Sequence, residues 1–292
     1  MTNTSPLYER ILSLYKTYYS LKTGKESLLT LISESEVAEQ VYNSNAIENS
    51  TLSLEETEKI LLQIDLDRYV TERELFEAKN LARVIEYIEK NAQNKQLDLE
   101  MILFLHKMLI FNIREEIAGR FRQSGEYVRV GTHIAPAPEK VEGLLAQMLT
   151  QYRSSIDENI IQRIAKLHLN FEHIHPFVDG NGRIGRIIIN YILIKEGFVP
   201  VNIKFIDRKT YYEAFREFDE TGKTEKMENI VALALTNSYH KRVAYLEGKH
   251  IVKLSDYAKT QKTSYSNLLN KAKRQTIPAF LEKGVWKIGV EG

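Results

Sequence analysis

The segment that most limits the fold of this chain is 183–193, which follows Gly180-Asn181-Gly182 and would be apolar on nearly every side of a helix. A helix that is apolar all round is stable only where other parts of its domain cover it. No apolar run in the chain reaches the roughly 20 residues that a membrane-spanning helix needs. The segment therefore predicts a helix buried in the middle of a mainly α-helical domain, beginning at the Gly-Asn-Gly turn.

The turn before this helix has the properties of an anion-binding site. Gly180 and Gly182 allow a tight turn and leave backbone N–H groups unobstructed. A helix N-terminus adds unpaired N–H groups and partial positive charge, which favour phosphate. Arg183 and Arg186 lie three residues apart, so they share a helix face at this end. Because arginine can grip phosphate oxygens with two hydrogen bonds, the pattern predicts a polyphosphate site.

Two residues just before the turn supply reactive groups. His175 has an ordinary pKa near neutrality, which suits a general base, and Pro176 should end the preceding helix at His175. Asp179 offers a hard oxygen ligand of the kind that Mg²⁺ takes together with phosphate oxygens. Each residue alone is as well explained by a structural role. Together, they predict catalysis on a nucleotide polyphosphate with magnesium.

Residues 175–186 form the pattern HPFxDGNGRxxR, which resembles the signature of the Fic family of protein adenylyltransferases. These enzymes move AMP from ATP to a protein hydroxyl group. The residues AKLH at 165–168 and FE at 171–172 also resemble the helix that precedes the signature in this family. The resemblance extends over about residues 35–220. It implies a Fic-fold helical bundle with a small β-hairpin flap, ATP as substrate and Mg²⁺ as cofactor.

The resemblance implies a role for each residue of the signature. His175 would deprotonate the target hydroxyl as it attacks the α-phosphorus, Asp179 would bind Mg²⁺, and Phe177 would anchor the loop in the core. In a predicted helix at 208–219, Tyr211 would line the adenine pocket, with simple packing as the alternative. The nucleotide-binding residues implied in this way are Gly180, Asn181, Gly182, Arg183, Arg186 and Tyr211.

A second motif lies far upstream. The residues SNAIEN at 44–49 resemble the inhibitory motif S/T-x-x-x-E-G/N of regulated Fic proteins. Ser44 and Glu48 are four residues apart and would share a helix face. The resemblance implies an inhibitory helix whose Glu48 pairs with Arg186 and blocks the γ-phosphate position. In some relatives the same glutamate supports removal of AMP, and the alternative is an ordinary capped helix with a solvent-facing glutamate.

The rest of the chain is predicted to be mainly helical, within residues 8–89, 99–113, 140–152, 157–174 and 208–219. Residues 119–138 are different, because Val128-Arg129-Val130 alternates between two glycines, which predicts a β-hairpin. The hairpin resembles the Fic flap, which binds a target peptide as an extra strand. A protein target would then bind along the stretch that begins at Val128 and ends at Thr132, and a plain surface hairpin is the alternative.

The other histidines have no partner that the sequence identifies. His168 and His175 are seven residues apart and have similar helical phase, but no carboxylate at metal-ligand spacing accompanies them. We therefore predict no zinc site here and interpret His168 as a packed, hydrogen-bonded histidine. No role is predicted for His106, His133, His173, His240 or His250.

The C-terminal part differs in charge from the rest. Residues 250–292 contain eight Lys/Arg and three Asp/Glu, a formal charge of +5, whereas residues 1–249 carry −4. Two short helices at 256–260 and 264–274, followed by a hairpin, predict a winged helix-turn-helix-like module similar to DNA-binding modules. Its Lys271, Lys273 and Arg274 would then face DNA phosphates. A module that recruits a protein partner or forms a homodimer is an equal alternative.

Composition sets the remaining limits. With 43% apolar and 27% charged residues the chain is typical of globular proteins, and its net charge of +1 argues against wholesale binding to nucleic acid or membranes. The absence of cysteine excludes disulfides and thiolate metal sites, and we expect a cytoplasmic location. We predict an N-terminal helical region at 1–95 with the inhibitory helix near 40–50, a catalytic core at 96–245 and the winged-helix-like module at 246–292.

These observations predict a nucleotidyltransferase, a protein adenylyltransferase that Glu48 holds in check. One alternative is a Fic-fold enzyme that moves another phosphate-linked group or mainly removes AMP. Another is a DNA-binding regulator whose Fic core senses a nucleotide. Gly182 argues against phosphate transfer, because the kinase-like branch of the family tends to carry lysine there.

Overall fold

The computed structural model describes residues 6–131 and 133–291. Over this part of the chain the protein is mainly α-helical, which confirms the predicted fold class, and the strands form two small antiparallel sheets. The helices are α1 (Pro6–Lys22), α2 (Glu26–Ile47), α3 (Leu54–Leu61), α4 (Glu72–Asn91), α5 (Leu99–Ile110), α6 (Val141–Ser154), α7 (Ile160–Ile174), α8 (Asn181–Lys195), α9 (Arg208–Thr221), α10 (Glu225–Leu246), α11 (Leu254–Thr260) and α12 (Tyr265–Lys273). The strands are β1 (Arg129–Val130), β2 (His133–Ile134), β3 (His250–Lys253), β4 (Ala279–Glu282) and β5 (Val285–Val290).

The described residues divide into two compact units. The larger is Val37–Val231, and the other combines the chain up to Glu36 with the chain from Ala232 onward. These units are not consecutive segments of the chain, and the segments 1–95, 96–245 and 246–292 stay a prediction. None of the described helices has the length and apolar character needed to cross a membrane.

The central helix of the larger unit is α8. All of its residues except Gly182 and Lys195 are buried, and it packs against α4, α5 and α7. Full burial of an isoleucine side chain stabilises a fold by about 1.5–3 kcal/mol, and α8 contributes six of them. The apolar segment therefore forms the predicted buried helix, and this burial holds the N-terminus of α8 firmly in place.

The helix α7 leads into the signature loop. It begins at Ile160, three residues later than predicted, because Asn159 caps it by accepting the N–H groups of Ile161 and Gln162. It ends at Ile174 as predicted, since Pro176 disfavours a helical conformation in the residue before it.

The predicted hairpin is present as a short two-stranded sheet. Its register pairs Arg129 with Ile134 and Val130 with His133. The side chains of Val130 and Ile134 are exposed, at 41% and 71%. Of the stretch predicted to bind a target, Thr132 lies outside the described residues.

The smaller unit contains the two short C-terminal helices and the hairpin that were expected there. Ser264 caps α12 by accepting the N–H of Asn267, and β4 and β5 form the hairpin. The strand β3 was not expected; it pairs with β5, which gives the strand order β3-β5-β4. A small apolar core joins the sheet to both helices, formed by Leu254, Ala272, Ala279 and Ile288. The assignment to the winged-helix class stays a prediction.

Candidate functional site

The signature loop begins with a residue in an unusual backbone conformation. His175 is left-handed, with φ of 49°, and its N–H donates to the carbonyl of Phe171 at 2.9 Å, which closes α7. A left-handed conformation costs a residue with a side chain about 1–2 kcal/mol. Contacts from neighbouring elements must therefore hold His175 in place.

Arg122 supplies these contacts. Its guanidinium donates to the carbonyls of His175 at 2.8 Å, Ile174 at 3.2 Å and Pro136 at 2.8 Å. Its backbone N–H also donates to the carbonyl of Pro176 at 2.9 Å. A buried guanidinium is tolerated only when its donors are paired, so this arginine ties the loop to the base of the flap. Nothing in the local sequence distinguishes Arg122 from a surface arginine, so the pattern alone does not reveal its role.

His106 holds the other end of the loop. Its ring stacks on the buried Phe177 with 3.7 Å between centroids, and Nε2 lies 3.0 Å from the carbonyl oxygen of Asp179. A carbonyl oxygen only accepts, so Nε2 carries the proton, while Nδ1 accepts the N–H of Gly119 at 3.1 Å. The ring is therefore neutral, which agrees with burial lowering the pKa of His106 to about 4.

Asn181 closes the loop with its side chain. Its Oδ1 accepts the N–H of Phe177 and its Nδ2 donates to the carbonyl of Phe177, both at 2.8 Å. Because both polar atoms bind within the loop, an anion would meet the backbone N–H groups at the start of α8. Gly180 has φ of 87°, and a Cβ there would lie 3.2 Å from Leu109 and 3.3 Å from Ile110, so the turn requires glycine.

The imidazole of His175 is buried beside a carboxyl group. Its Nδ1 has no hydrogen-bond partner among the described residues and lies 4.0 Å from Oε2 of Glu172. Burial lowers the pKa of His175 to about 4, so the ring is neutral at neutral pH and can accept a proton. Burial, together with the charge of Glu48, raises the pKa of Glu172 to about 8, so this carboxyl group is protonated.

Arg186 is buried, and residues 44–48 occupy most of its donors. Its Nε donates to Oγ of Ser44 at 3.0 Å, and its Nη2 donates to the Ser44 carbonyl at 2.8 Å and to Oε1 of Glu48 at 2.9 Å. The contact expected from the upstream motif is therefore present. Helix α2 ends at Ile47, so Glu48 lies just beyond the helix and not within it.

Gly182 allows Glu48 to approach the start of α8. A Cβ at this position would collide with the carboxylate of Glu48 and lie 3.1 Å from Nη1 of Arg186. A lysine here would be incompatible with the observed position of Glu48.

Asp179 and Arg183 belong to a closed ring of four charged side chains. Arg73 Nη2 lies 2.7 Å from Asp179 Oδ2, and Arg183 Nη2 lies 3.1 Å from Asp179 Oδ1. Glu77 Oε1 completes the ring, 3.2 Å from Arg183 Nη1 and 3.1 Å from Arg73 Nε. Both Arg73 and Glu77 lie in the first turns of α4, which begins with a capping box at Thr71. Sequence spacing places them on one helix face but does not show what that face contacts.

The chemistry of Asp179 suits magnesium. Burial alone would raise its pKa, but Arg183 and Arg73 hold the pKa of Asp179 below its ordinary value, so the group is ionised at neutral pH. Mg²⁺ is commonly bound by one or two ionised carboxylates together with phosphate oxygens, and Asp179 lies just before a helix N-terminus that favours anions. Both carboxylate oxygens contact arginines, so a cation that binds Asp179 would compete with these two positive charges.

A cavity of about 500 Å³ brings part of the predicted set together. Its walls include Glu48, His175, Gly182, Arg186 and Tyr211. Tyr211 is buried, and its hydroxyl lies 2.7 Å from Nε2 of His168, which confirms that His168 is packed and hydrogen-bonded. The predicted residues that do not line this cavity are Ser44, Asp179, Gly180, Asn181 and Arg183.

Known proteins resemble the part of this chain that contains the signature. Residues 96–193 match the model of the Fic/DOC family. The chain is 30% identical over 203 residues to "Protein adenylyltransferase Fic" of Nematostella vectensis, which is 67% of this chain and 46% of that relative. The corresponding protein of Drosophila melanogaster is 31% identical over 189 residues, 62% of this chain and 37% of the relative. The chain thus spans less than half the length of these curated relatives.

Solved structures share the fold. A Fic domain containing signaling protein from Bacteroides thetaiotaomicron has a TM-score of 0.75 at 22% identity and covers 82% of this chain and 98% of its own. A Fic family protein from Desulfovibrio desulfuricans has a TM-score of 0.67 at 19% identity and covers 99% of this chain and 98% of its own. Signature, family match and fold agree that residues 96–193 of this chain form a Fic domain.

Proposed function

We propose that this chain is a protein adenylyltransferase that moves AMP from ATP to a hydroxyl side chain of a protein target and is restrained by Glu48. One observation carries the proposal: the neutral, buried His175 shares a cavity with Arg186 and with the start of α8. That cavity combines a proton acceptor with positive charge for a polyphosphate. The name of the relatives, protein adenylyltransferase Fic, supports the same reaction.

The nucleotide would lie along the start of α8. Backbone N–H groups around Gly180, Asn181 and Gly182 would hold the α-phosphate, because a helix N-terminus favours negative charge. Arg183 and Arg186 would hold the β- and γ-phosphates. Asp179 would bind Mg²⁺, which neutralises phosphate charge and orients the polyphosphate when bound. Tyr211 would contribute to the adenine side of the cavity.

The transfer itself needs one proton acceptor. The target oxygen would attack the α-phosphorus while His175 takes the hydroxyl proton. A new O–P bond forms, the bond between the α-phosphorus and the bridging oxygen of the β-phosphate breaks, and pyrophosphate leaves. Arg122 would keep His175 in its left-handed conformation and thereby aim the imidazole at the hydroxyl.

The target would bind to the flap. Strand addition uses main-chain hydrogen bonds, which set the register of a peptide without demanding a particular sequence. The exposed side chains of Val130 and Ile134 offer apolar contacts on this hairpin. A target bound here would lie near the cavity, because Val130 and Gly131 form part of the cavity wall.

The restraint would come from the contact between Glu48 and Arg186. With Nη2 of Arg186 held by Glu48 and by the Ser44 carbonyl, a γ-phosphate must displace Glu48 before Arg186 can bind it. ATP that binds while Glu48 still contacts Arg186 would adopt a pose that does not react.

The chemistry is tested by label transfer in the Glu48→Gly background, with self-modification as the readout. We expect label from α-³²P-ATP and none from γ-³²P-ATP, and we expect Glu48→Gly/His175→Ala to lose transfer while it still binds ATP. If only γ-³²P-ATP transferred label, the reaction would be phosphate transfer and not AMP transfer. Full activity of the double variant would exclude His175 as the base.

The C-terminal module is proposed to bind DNA through α12, with protein recruitment or dimerisation as the competing proposal. The observation that favours DNA is the exposure of Lys271, Lys273 and Arg274 on and just after a capped second helix. Binding to duplex DNA should weaken steeply as salt rises. If the module does not bind duplex DNA at low salt, the proposal of protein recruitment or dimerisation would remain.

A further inference from the structure

Three residues around the flap form a cluster that AMP transfer does not use. His133 lies on β2, His173 in the last turn of α7 and Asp219 near the end of α9. Each can offer one ligand atom, and these three atoms all lie within 4.8 Å of one another. The imidazoles of His133 and His173 pack side by side, with 4.3 Å between ring centroids. We propose that His133, His173 and Asp219 form a binding site for a divalent transition metal such as Zn²⁺.

The hydrogen bonds of the two rings are those of metal-ligating histidines. Nε2 of His133 lies 2.8 Å from the backbone carbonyl of His173, and Nδ1 of His173 lies 2.8 Å from Oδ1 of Asp219. Carbonyl and carboxylate oxygens accept, so in each neutral ring this nitrogen carries the proton and the other nitrogen has a free lone pair. Histidine ligands of zinc typically donate their second N–H to a backbone carbonyl or a carboxylate in this way.

The donor types select the class of metal. Imidazole nitrogen suits Zn²⁺, Co²⁺, Ni²⁺ and Cu²⁺, whereas Mg²⁺ and Ca²⁺ prefer oxygen ligands. Two imidazoles and one carboxylate leave a fourth position of a tetrahedral zinc site for water. Asp219 accepts from Nδ1 of His173, which points away from the free Nε2 of that ring. It would therefore either give up this hydrogen bond to bind the metal directly or keep orienting His173 while water takes its place on the metal.

A metal here would act on the flap. His133 belongs to the hairpin, whereas His173 belongs to the helix that ends one residue before His175. A bridge between them would fix β2 against the end of α7 at the wall of the cavity, where all three residues lie. The flap would then exchange its backbone amide hydrogens more slowly with the metal bound. This effect does not depend on whether the enzyme transfers AMP.

The test is a calorimetric titration of the full chain with ZnCl₂ in excess MgCl₂, so that Asp179 does not compete for zinc. We expect one saturable site, with affinity lowered about 10-fold or more in His133→Ala, His173→Ala and Asp219→Asn. The matched controls His250→Ala and Glu220→Gln should bind as wild type does. Melting curves without metal show whether each variant is folded.

A second measurement follows the flap directly. Hydrogen exchange of the peptide that contains β1 and β2 should slow on addition of ZnCl₂ in the wild type and not in Asp219→Asn. The proposal is overturned if zinc shows no saturable binding, if all three variants bind it as tightly as wild type, or if exchange of the flap is unchanged at saturating zinc.

Discussion

The two sides of the turn at 180–182 are both occupied by charged side chains of the chain itself, but in different surroundings. On the Arg186 side, the arginine side chain is 8% exposed and contacts Glu48, Ser44 and Tyr211. On the Asp179 side, the carboxylate contacts two arginines: Arg183, whose side chain is 4% exposed, and Arg73, whose side chain is 54% exposed. The arginine that pairs with Glu48 is therefore shielded from water, whereas Arg73, one of the two arginines that pair with Asp179, is open to it.

This difference predicts which side would restrain the proposed AMP transfer. Exposed ion pairs contribute about 0–1 kcal/mol, because water and salt compete with them. Replacing Arg73 at Asp179 by a hydrated cation should therefore cost little. The contacts of the buried Arg186 are screened much less, and removing one partner of a buried pair has a large effect. We infer that the Arg186 side sets the resting activity, whereas the Asp179 side only adjusts the magnesium requirement.

The largest effect on stability is expected in the packing beneath the Arg186 side. A Cβ at Gly185 would collide with the Glu172 carboxylate and lie 2.7 Å from Cε1 of His168. Gly185→Ala should therefore lower the free energy of unfolding by about 1–3 kcal/mol. The control is Gly143→Ala in α6, where nothing lies within 4 Å of the added Cβ, and where alanine should stabilise the helix. Equal melting temperatures for the two variants would contradict the packing described here.

A smaller effect is expected from the protonated carboxyl group on the same side. The pKa of Glu172 is raised to about 8 in the folded protein, above its ordinary value of 4.5. Its contribution to stability is therefore complete below about pH 4.5 and is lost as the pH rises from there to about 8, by about 1.4 kcal/mol for each pH unit, with no further loss once the carboxyl group is ionised in the folded protein. Glu172→Gln should lose less stability between pH 7 and pH 9 than wild type does. The control is Glu86→Gln, at an exposed position of α4. Parallel losses in wild type and Glu172→Gln would show that Glu172 is not the titrating group.

The smallest effect is expected on the Asp179 side. In the Glu48→Gly background, Arg73→Ala frees one oxygen of Asp179 and should lower the Mg²⁺ concentration for half-maximal transfer by up to about fivefold. The matched control is Arg83→Ala, on an exposed position of the same helix. A higher magnesium requirement in Arg73→Ala would instead indicate that Arg73 helps to bind the nucleotide.

The parts of the site that sequence predicts are those encoded locally. The end of α7 at Ile174 follows from Pro176, and the burial of α8 follows from its isoleucines. The groups that hold the loop come from distant segments: Arg122 is 53 residues from His175 and His106 is 73 residues from Asp179. No spacing rule connects them, because their roles depend on tertiary packing.

The same dependence on tertiary packing explains two further differences between the structure and what the sequence predicts. Strand β3 is only four residues long and pairs with β5, so its own sequence lacks the length that identifies a strand. The carboxylate partner of His173 is Asp219, 46 residues away on another helix. A search for metal-ligand spacing near His173 therefore does not find it.

The most direct test of the restraint is the initial rate of self-labelling from α-³²P-ATP and Mg²⁺, compared for wild type, Glu48→Gln and Glu48→Gly. If Glu48 holds Arg186 away from the γ-phosphate, Glu48→Gly should transfer label on the order of 10–100 times faster than wild type, with Glu48→Gln in between. Equal rates in all three proteins, with equal affinity for ATP, would contradict the account.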